Sequence, residues 1–277
     1  MDETAALRGA RLGGHINLAM QTILNEGQRA LLAGFAHANV LLALDYDGTL
    51  VPIEPTPAAP RMRATTRQLL VRAAQLYPCV IISGRALDDL CQRLDGVPVW
   101  YLFGNHGLEP PPPGAASPTP AREWAEQLRR VLPDDPGIMI EDKRYSLTIH
   151  YRNAADKHRA VEAIDRVVAE LPDARALGGA EAVSLLPRGG ADKGVALRQA
   201  CRWFACDSAI YVGDDGTDED AFSSTFPERL LTVRVGAAEN TRARYHLGSQ
   251  EDIDSLLQIL VDLRSRGPWG ARGESGA

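Results

Sequence analysis

The stretch Leu41-Leu42-Ala43-Leu44-Asp45-Tyr46-Asp47-Gly48-Thr49 constrains this chain most: an apolar run from Val40 to Leu44 stops abruptly at two carboxylates spaced i, i+2. A short apolar run that ends in turn-forming polar residues reads as a buried strand of a parallel sheet. Asp45 and Asp47 then sit at the strand's carboxyl end, where open α/β sheets bind ligands, and point the same way. Two carboxylates so close cannot both ionise cheaply unless a cation lies between them or one keeps a proton. Both solutions suit phosphoryl transfer. One Asp attacks phosphorus and becomes an aspartyl-phosphate, the other shuttles protons, and a hard divalent ion offsets the charge. Asp-x-Asp-Gly alone is also an ordinary loop after a strand, since Asp and Gly favour turns. The rest of the chain has to decide.

A length of 277 residues suggests two domains, or one with a large insertion. A formal charge of -6 gives no reason to invoke nucleic acid. No apolar run approaches the roughly 18 residues of a membrane span, and Met1 to Leu12 lacks an apolar signal core. Cys79, Cys91, Cys201 and Cys206 form no Cys-x-x-Cys pair, and the six histidines lack zinc-ligand spacing. The expectation is a cytoplasmic protein without membrane or nucleic-acid partners, a monomer by default.

Helical periodicity is expected over Ile16–Ala36, Arg63–Leu76 and Leu87–Leu94, with strands at Cys79–Ile82 and Val99–Phe103. Alternating strands and helices predict a doubly wound α/β sheet. The grammar changes after a Pro/Ala/Ser-rich stretch, Pro110 to Pro120. Helices over Ala121–Leu132 and Ala154–Leu171 surround strands at Ile138–Lys143, Tyr145–Arg152 and Ala182–Leu186, an antiparallel α+β insertion. The first grammar then returns, with a helix over Gly194–Phe204, strands at Ile210–Val212 and Leu230–Val235, and a helix over Ile253–Leu263. The tail after Gly267 is Gly-rich and reads as frayed.

Three more clusters fall at strand or helix ends. Ser83-Gly84 offers a hydroxyl and backbone N–H groups to a phosphate. Lys193, in Gly189-Gly190-Ala191-Asp192-Lys193-Gly194, can set an ammonium against both a phosphate and an attacking carboxylate. The segment Gly213-Asp214-Asp215-Gly216-Thr217-Asp218-Glu219-Asp220 packs five carboxylates into seven residues, costly without a cation. Each alone has a bland reading, as a strand end, an exposed Lys or a solvated acidic loop. Together they supply nucleophile, acid/base, phosphate clamp and metal ligands.

Their order resembles the four motifs of the haloacid dehalogenase superfamily, over roughly residues 38–262. Glu141-Asp142-Lys143, His150-Tyr151-Arg152, Gly104-Asn105-His106-Gly107-Leu108-Glu109 and Leu186-Pro187-Arg188-Gly189 resemble trehalose-6-phosphate phosphatases within it. The resemblance implies a Rossmann-like core at 38–109 and 187–265, an α+β cap at 110–186 that closes over the site, an N-terminal helical extension at 1–37 and a flexible tail at 266–277. It implies Mg²⁺ on Asp45, the Asp47 carbonyl and Asp214, with Asp215 or Asp218 nearby. Asp45 would attack, Asp47 would act as acid and base, and Ser83 and Lys193 would hold phosphate oxygens. Gly48, Thr49, Gly84, Arg85, Asn105, His106, Glu109, Glu141, Lys143, His150, Arg152 and Arg188 become candidate substrate contacts. Tyr46 reads as packing between the carboxylates.

One position departs from the resemblance: Ser184 stands where those phosphatases usually carry a Glu that binds sugar. Alternatives are therefore a phosphatase for another glycosyl phosphate, such as a glucosyl- or mannosyl-phosphoglycerate, or a phosphomannomutase-like phosphotransferase. A degenerate sugar-phosphate-binding module is the non-enzyme alternative, and Asp47 speaks against it.

Overall fold

The computed structural model describes residues 20–53, 61–111, 121–179, 181–238 and 240–267. The chain runs β1 (Gln21–Thr22), α1 (Arg29–Ala36), β2 (Val40–Leu44), α2 (Ala64–Leu76), β3 (Cys79–Ile82), α3 (Leu87–Arg93) and β4 (Tyr101–Phe103). It continues with α4 (Ala121–Val131), β5 (Met139–Asp142), β6 (Leu147–His150), α5 (Lys157–Ala169), β7 (Ala174–Gly179) and β8 (Ala182–Pro187). It returns through α6 (Lys193–Trp203), β9 (Ser208–Gly213), α7 (Glu219–Phe222), β10 (Arg229–Val235), β11 (Tyr245–Leu247) and α8 (Asp252–Arg266).

Seven strands form one all-parallel sheet in the order β1-β11-β10-β9-β2-β3-β4. All five residues of β2 are buried, as a strand covered on both faces demands. Val40, Leu42 and Leu44 face a core shared with α1, α2, α3 and α8, while Leu41 and Ala43 face α6 and α7. The doubly wound expectation stands. β2, β3 and β9 are adjacent and parallel, so the loops that follow them open at one sheet edge and bring three distant sequence segments together.

The insertion is a four-stranded antiparallel sheet, β5-β6-β8-β7. Leu147, Ile149, Val183 and Leu185 pack with Trp124 and Leu128 of α4 and Ile164 and Val167 of α5. Because strand side chains alternate, the opposite face carries Glu141, Thr148, His150 and Ser184. Helices cover one face, and the other is free to roof a site.

Two local expectations fail. The helix expected over Ile16–Ala36 begins only at Arg29, after a 3-10 turn at Glu26–Gln28, and Gln21–Thr22 is instead a parallel strand against β11; residues 16–19 lie outside the described residues. Asn25-Glu26-Gly27 breaks the pattern there. The tail is expected from 266 onward, but α8 extends through Arg266; residues 268–277 lie outside the described residues. No helix among the described residues is long and apolar enough to cross a membrane.

Candidate active site

Asp45 leaves β2 almost fully buried, and its N–H donates to Val212 O of β9 at 2.9 Å, which pins the first loop beside the third. The chain then turns sharply: Leu50 and Val51 N–H donate to Tyr46 O, and Gly48 N–H donates to Val51 O. Gly48 has φ +75°, and a Cβ there would lie 2.0 Å from Asp214 Oδ2. The glycine lets the two carboxylate loops meet. Tyr46 is 1% exposed and packs in the apolar core, with the Arg85 guanidinium over its ring.

Lys193 is the counter-charge. Its Nζ lies 3.1 Å from Asp45 Oδ1 and 2.8 Å from Asp218 Oδ1, and all three side chains are buried. Burial works against this ammonium, but Asp218 and Asp45 outweigh it and hold its pKa well above the usual value. Burial pushes the Asp45 carboxyl well up despite Lys193, and pushes Asp214 well up with help from Asp218 and Asp215. The cluster holds more carboxylates than one ammonium offsets.

Asp218 is fully engaged. Its Oδ1 accepts from Lys193 Nζ and from Tyr211 OH at 2.6 Å, and its Oδ2 accepts from the Asp214 and Asp215 N–H groups at 2.9 and 3.0 Å. Asp215 Oδ1 caps the next turn, accepting from Thr217 N–H and Oγ1 at 2.8 and 2.6 Å. Burial opposes the Asp215 charge, but Lys193 and these Thr217 bonds hold its pKa below the usual range. Asp214 differs: its Oδ1 is buried without a hydrogen-bond partner. One ligand atom from each of Asp45, Asp214 and Asp218 lies within 4.8 Å of the others. An orphaned carboxylate oxygen in a cluster of buried carboxylates is a donor set that suits a hard divalent cation.

β3 delivers Ser83, fully buried, whose Oγ accepts from Arg85 N–H at 3.2 Å. Thr49 Oγ1 and both ring nitrogens of His106 are buried without partners. His106 has φ +59° and stands against Gly84, where a Cβ would come within 2.5 Å of the ring. Burial, then Lys193 and Lys143, keep its pKa well below the usual value, so the ring is neutral.

The second sheet reaches into this edge. Lys143 Nζ donates to Gly84 O at 3.0 Å and lies 3.6 Å from Glu141 Oε2; His150 Nε2 lies 2.9 Å from the same oxygen. Burial opposes the Glu141 charge, but His150 and Lys143 hold its pKa below the usual range. Thr148 and Ser184 are opposite each other and next to Glu141 on one rung, with their hydroxyls 3.3 Å apart.

Other sequence candidates are braces. Asn105 Nδ2 donates to Lys143 O and to Glu109 Oε2, and its Oδ1 accepts from Ser146 Oγ. Glu109 Oε2 also accepts from Leu87 N–H at the start of α3. Arg152 pairs with Glu181 at the β6 end. Arg188 is exposed and donates to Pro172 O and Ala174 O, so its guanidinium secures the approach to β7. Arg85 donates to both oxygens of Asp47 at 2.7 and 2.6 Å. Sequence reasoning missed Tyr211, because a Tyr in an apolar strand reads as core.

The model of the family described as trehalose-phosphatase matches residues 43–251. This chain belongs to the trehalose-phosphatase family. A Mycobacterium marinum protein named trehalose-phosphate phosphatase is 37% identical over 237 residues, a match that takes in 80% of this chain and 60% of that longer protein. The chain thus spans 60% of that relative's length. The solved C-terminal domain of Candida albicans trehalose-6-phosphate phosphatase superposes with a TM-score of 0.75 at 23% identity, covering 89% of this chain and 99% of that one. The C-terminal domain of a C. albicans trehalose synthase regulatory protein superposes at 0.61 with 14% identity, covering 84% and 97%. The family's fold therefore does not by itself separate a phosphatase from a regulator, and the side chains at the sheet edge must.

Proposed function

We propose that this chain is a phosphatase that hydrolyses trehalose 6-phosphate to trehalose and phosphate. The observation that carries the reading is Asp45, buried and 3.1 Å from Lys193 Nζ, beside the unpartnered Asp214 Oδ1. A regulator that only bound a sugar phosphate would not need an acid/base carboxylate two residues after a buried nucleophile.

Asp45 attacks phosphorus in line, and Asp47 gives its proton to the departing sugar oxygen. Asp47 then takes a proton from the water that cleaves the aspartyl-phosphate. Ser83 and Lys193 hold the phosphoryl oxygens, an electrostatic role. Asp45, Asp214 and the Asp47 carbonyl would hold Mg²⁺, which would neutralise charge on the attacking carboxylate and a phosphoryl oxygen. Asp218 and Asp215 are assigned to the frame: Asp218 orients Lys193 and the Asp214 loop, and Asp215 caps the following turn.

Residues 110–186 act as the cap over a core of 38–109 and 187–265, to which β1 and α1 of the N-terminal segment also contribute. Glu141, Lys143 and His150 read the sugar, because buried polar readers reject ligands without matching hydroxyls. His106, neutral and unpartnered, is a further contact. The enzyme is read as a cytoplasmic monomer acting on a small sugar phosphate.

The Thr148–Ser184 hydroxyl pair favours a second reading, another glycosyl phosphate such as a glucosyl- or mannosyl-phosphoglycerate. Phosphate release with Mg²⁺ from trehalose 6-phosphate, glucose 6-phosphate, both phosphoglycerates and an aryl phosphate separates the two. Preference for trehalose 6-phosphate is expected. Preference for a phosphoglycerate would reassign the substrate, and no release from any would end the phosphatase reading.

A further inference from the structure

A charged stripe that the catalytic steps above do not use runs along α3 and the loop before it. Asp89 and Arg93 stack at i, i+4 on one face of the helix, and Arg85, two residues before the helix begins, reaches Asp89 from the loop. Arg85 Nη1 donates to Asp89 Oδ2 at 2.8 Å, and Arg93 Nε donates to Asp89 Oδ1 and Oδ2 at 2.9 and 2.8 Å. The stripe ends on Asp47, both of whose oxygens accept from the Arg85 guanidinium. The arginine is the least exposed member, with 13% of its side chain accessible against 39% for Asp47 and 37% for Asp89. Its guanidinium also lies over the Tyr46 ring, 5.6 Å from the centroid. A planar fork held from behind by a carboxylate and from the side by an aromatic ring has little freedom to turn.

We propose that Arg85, backed by Asp89 and Arg93, is a positioning residue that aims the Asp47 carboxyl at the leaving-group oxygen, rather than a substrate ligand. The assignment rests on the phosphatase reading above. Asp47 is tethered to β2 only through a tight turn and is more exposed than Asp45, so its side chain needs an external hold. Arg85 supplies the hold from the motif that also carries Ser83, and so ties acid/base and phosphate clamp to one element. Because both Asp47 oxygens are engaged in this structure, one must leave Arg85 for Asp47 to carry and donate a proton. Bidentate contact to Arg85 orients the carboxyl, and the contact that remains after one oxygen is freed keeps it pointed at the site.

The expectation depends on the leaving group. A sugar alkoxide leaves poorly and needs the proton, whereas an aryl oxide leaves without it. The kcat/KM value reports phosphoryl transfer and is blind to the later water step, which uses Asp47 for every substrate. For Arg85→Gln, kcat/KM should fall by about 10-fold to 100-fold on the preferred sugar phosphate, and by less than about 3-fold on an aryl phosphate, given the usual worth of general acid catalysis. Asp89→Asn, a helix-surface change that does not endanger folding, should show the same selectivity at smaller size. Arg85→Lys should recover only part, since an ammonium on a flexible stem lacks the planar fork that fixes both oxygens at once. Equal loss on both substrates would make Arg85 a clamp for the phosphoryl group and overturn the proposal. A rise in KM for the sugar phosphate at unchanged kcat would make it a sugar ligand and overturn it as well. Wild-type protein inactive on every phosphate ester would instead defeat the phosphatase reading, and this assignment with it.

Discussion

The proposed nucleophile, Asp45, is also one the fold tolerates least as an anion, and its neighbour Asp214 shares that burden. Asp45→Asn should reduce phosphate release below detection while the circular dichroism spectrum stays unchanged; near-normal turnover would remove Asp45 as nucleophile. Asp214 gives a sharper test through stability. Burial, then Asp218 and Asp215, hold its carboxyl well above the usual range. The native state therefore binds that proton more tightly than the unfolded chain, so this group's stabilising contribution falls as pH rises from about 3.9 through the raised native value. An amide at the same place has no such dependence. In metal-free protein, the melting temperature of Asp214→Asn relative to wild type should thus increase between about pH 5 and about pH 8. Added Mg²⁺ should raise the wild-type melting temperature and leave the variant unmoved, because ligand binding to the native state stabilises it. A flat pH difference, or equal Mg²⁺ responses, would mean that Asp214 is not the open ligand.

At the scale of elements, the legible parts were those whose signal is local in sequence. β2, β3 and β9 each announce themselves as an apolar run that stops at polar residues, and those stops form the candidate site. What escaped depends on partners far along the chain. β7, Ala-Arg-Ala-Leu-Gly-Gly, has little intrinsic strand preference and is a strand because β8 pairs all six of its residues. The three residues of β11 exist as a strand between β10 and β1. Likewise, Ser83, Lys193 and Asp214 could be named from their positions at element ends, but the grip of Arg85 on Asp47 spans 38 residues and left no trace beyond the i, i+4 charge stripe. The turn after β2 depends on one backbone conformation. Gly48→Ala should cost about 1–2 kcal/mol from the left-handed backbone alone, and more from the collision with Asp214. Urea titration should show that loss together with abolished turnover. Full stability in the variant would mean the two loops do not approach as closely as described.

At the scale of the whole molecule, the second sheet is closed on the first through named polar contacts. Lys143 Nζ reaches Gly84 O, Asn105 reaches Lys143 O, and Arg175 of β7 pairs with Asp220 at 2.6 Å and Asp192 at 3.6 Å. Asp45 is only 4% exposed beneath this roof. On the proposed function a sugar phosphate reaches it only when the sheets separate, and the contacts that oppose separation are then weak enough to break in each turnover. Arg175 fits: its side chain is 38% exposed, so water screens the pair and it is worth at most about 1 kcal/mol. Arg175→Ala should then raise the open population by no more than about 5-fold. Amide exchange can read this directly. The β7 amides that do not bond to β8 should exchange faster by that factor in the variant, whereas β9 and β10 amides, in the parallel sheet, should keep wild-type rates because the core does not open with the roof. Acceleration in both sheets would mean that Arg175 supports the fold as a whole, and no acceleration would mean that the roof is held elsewhere.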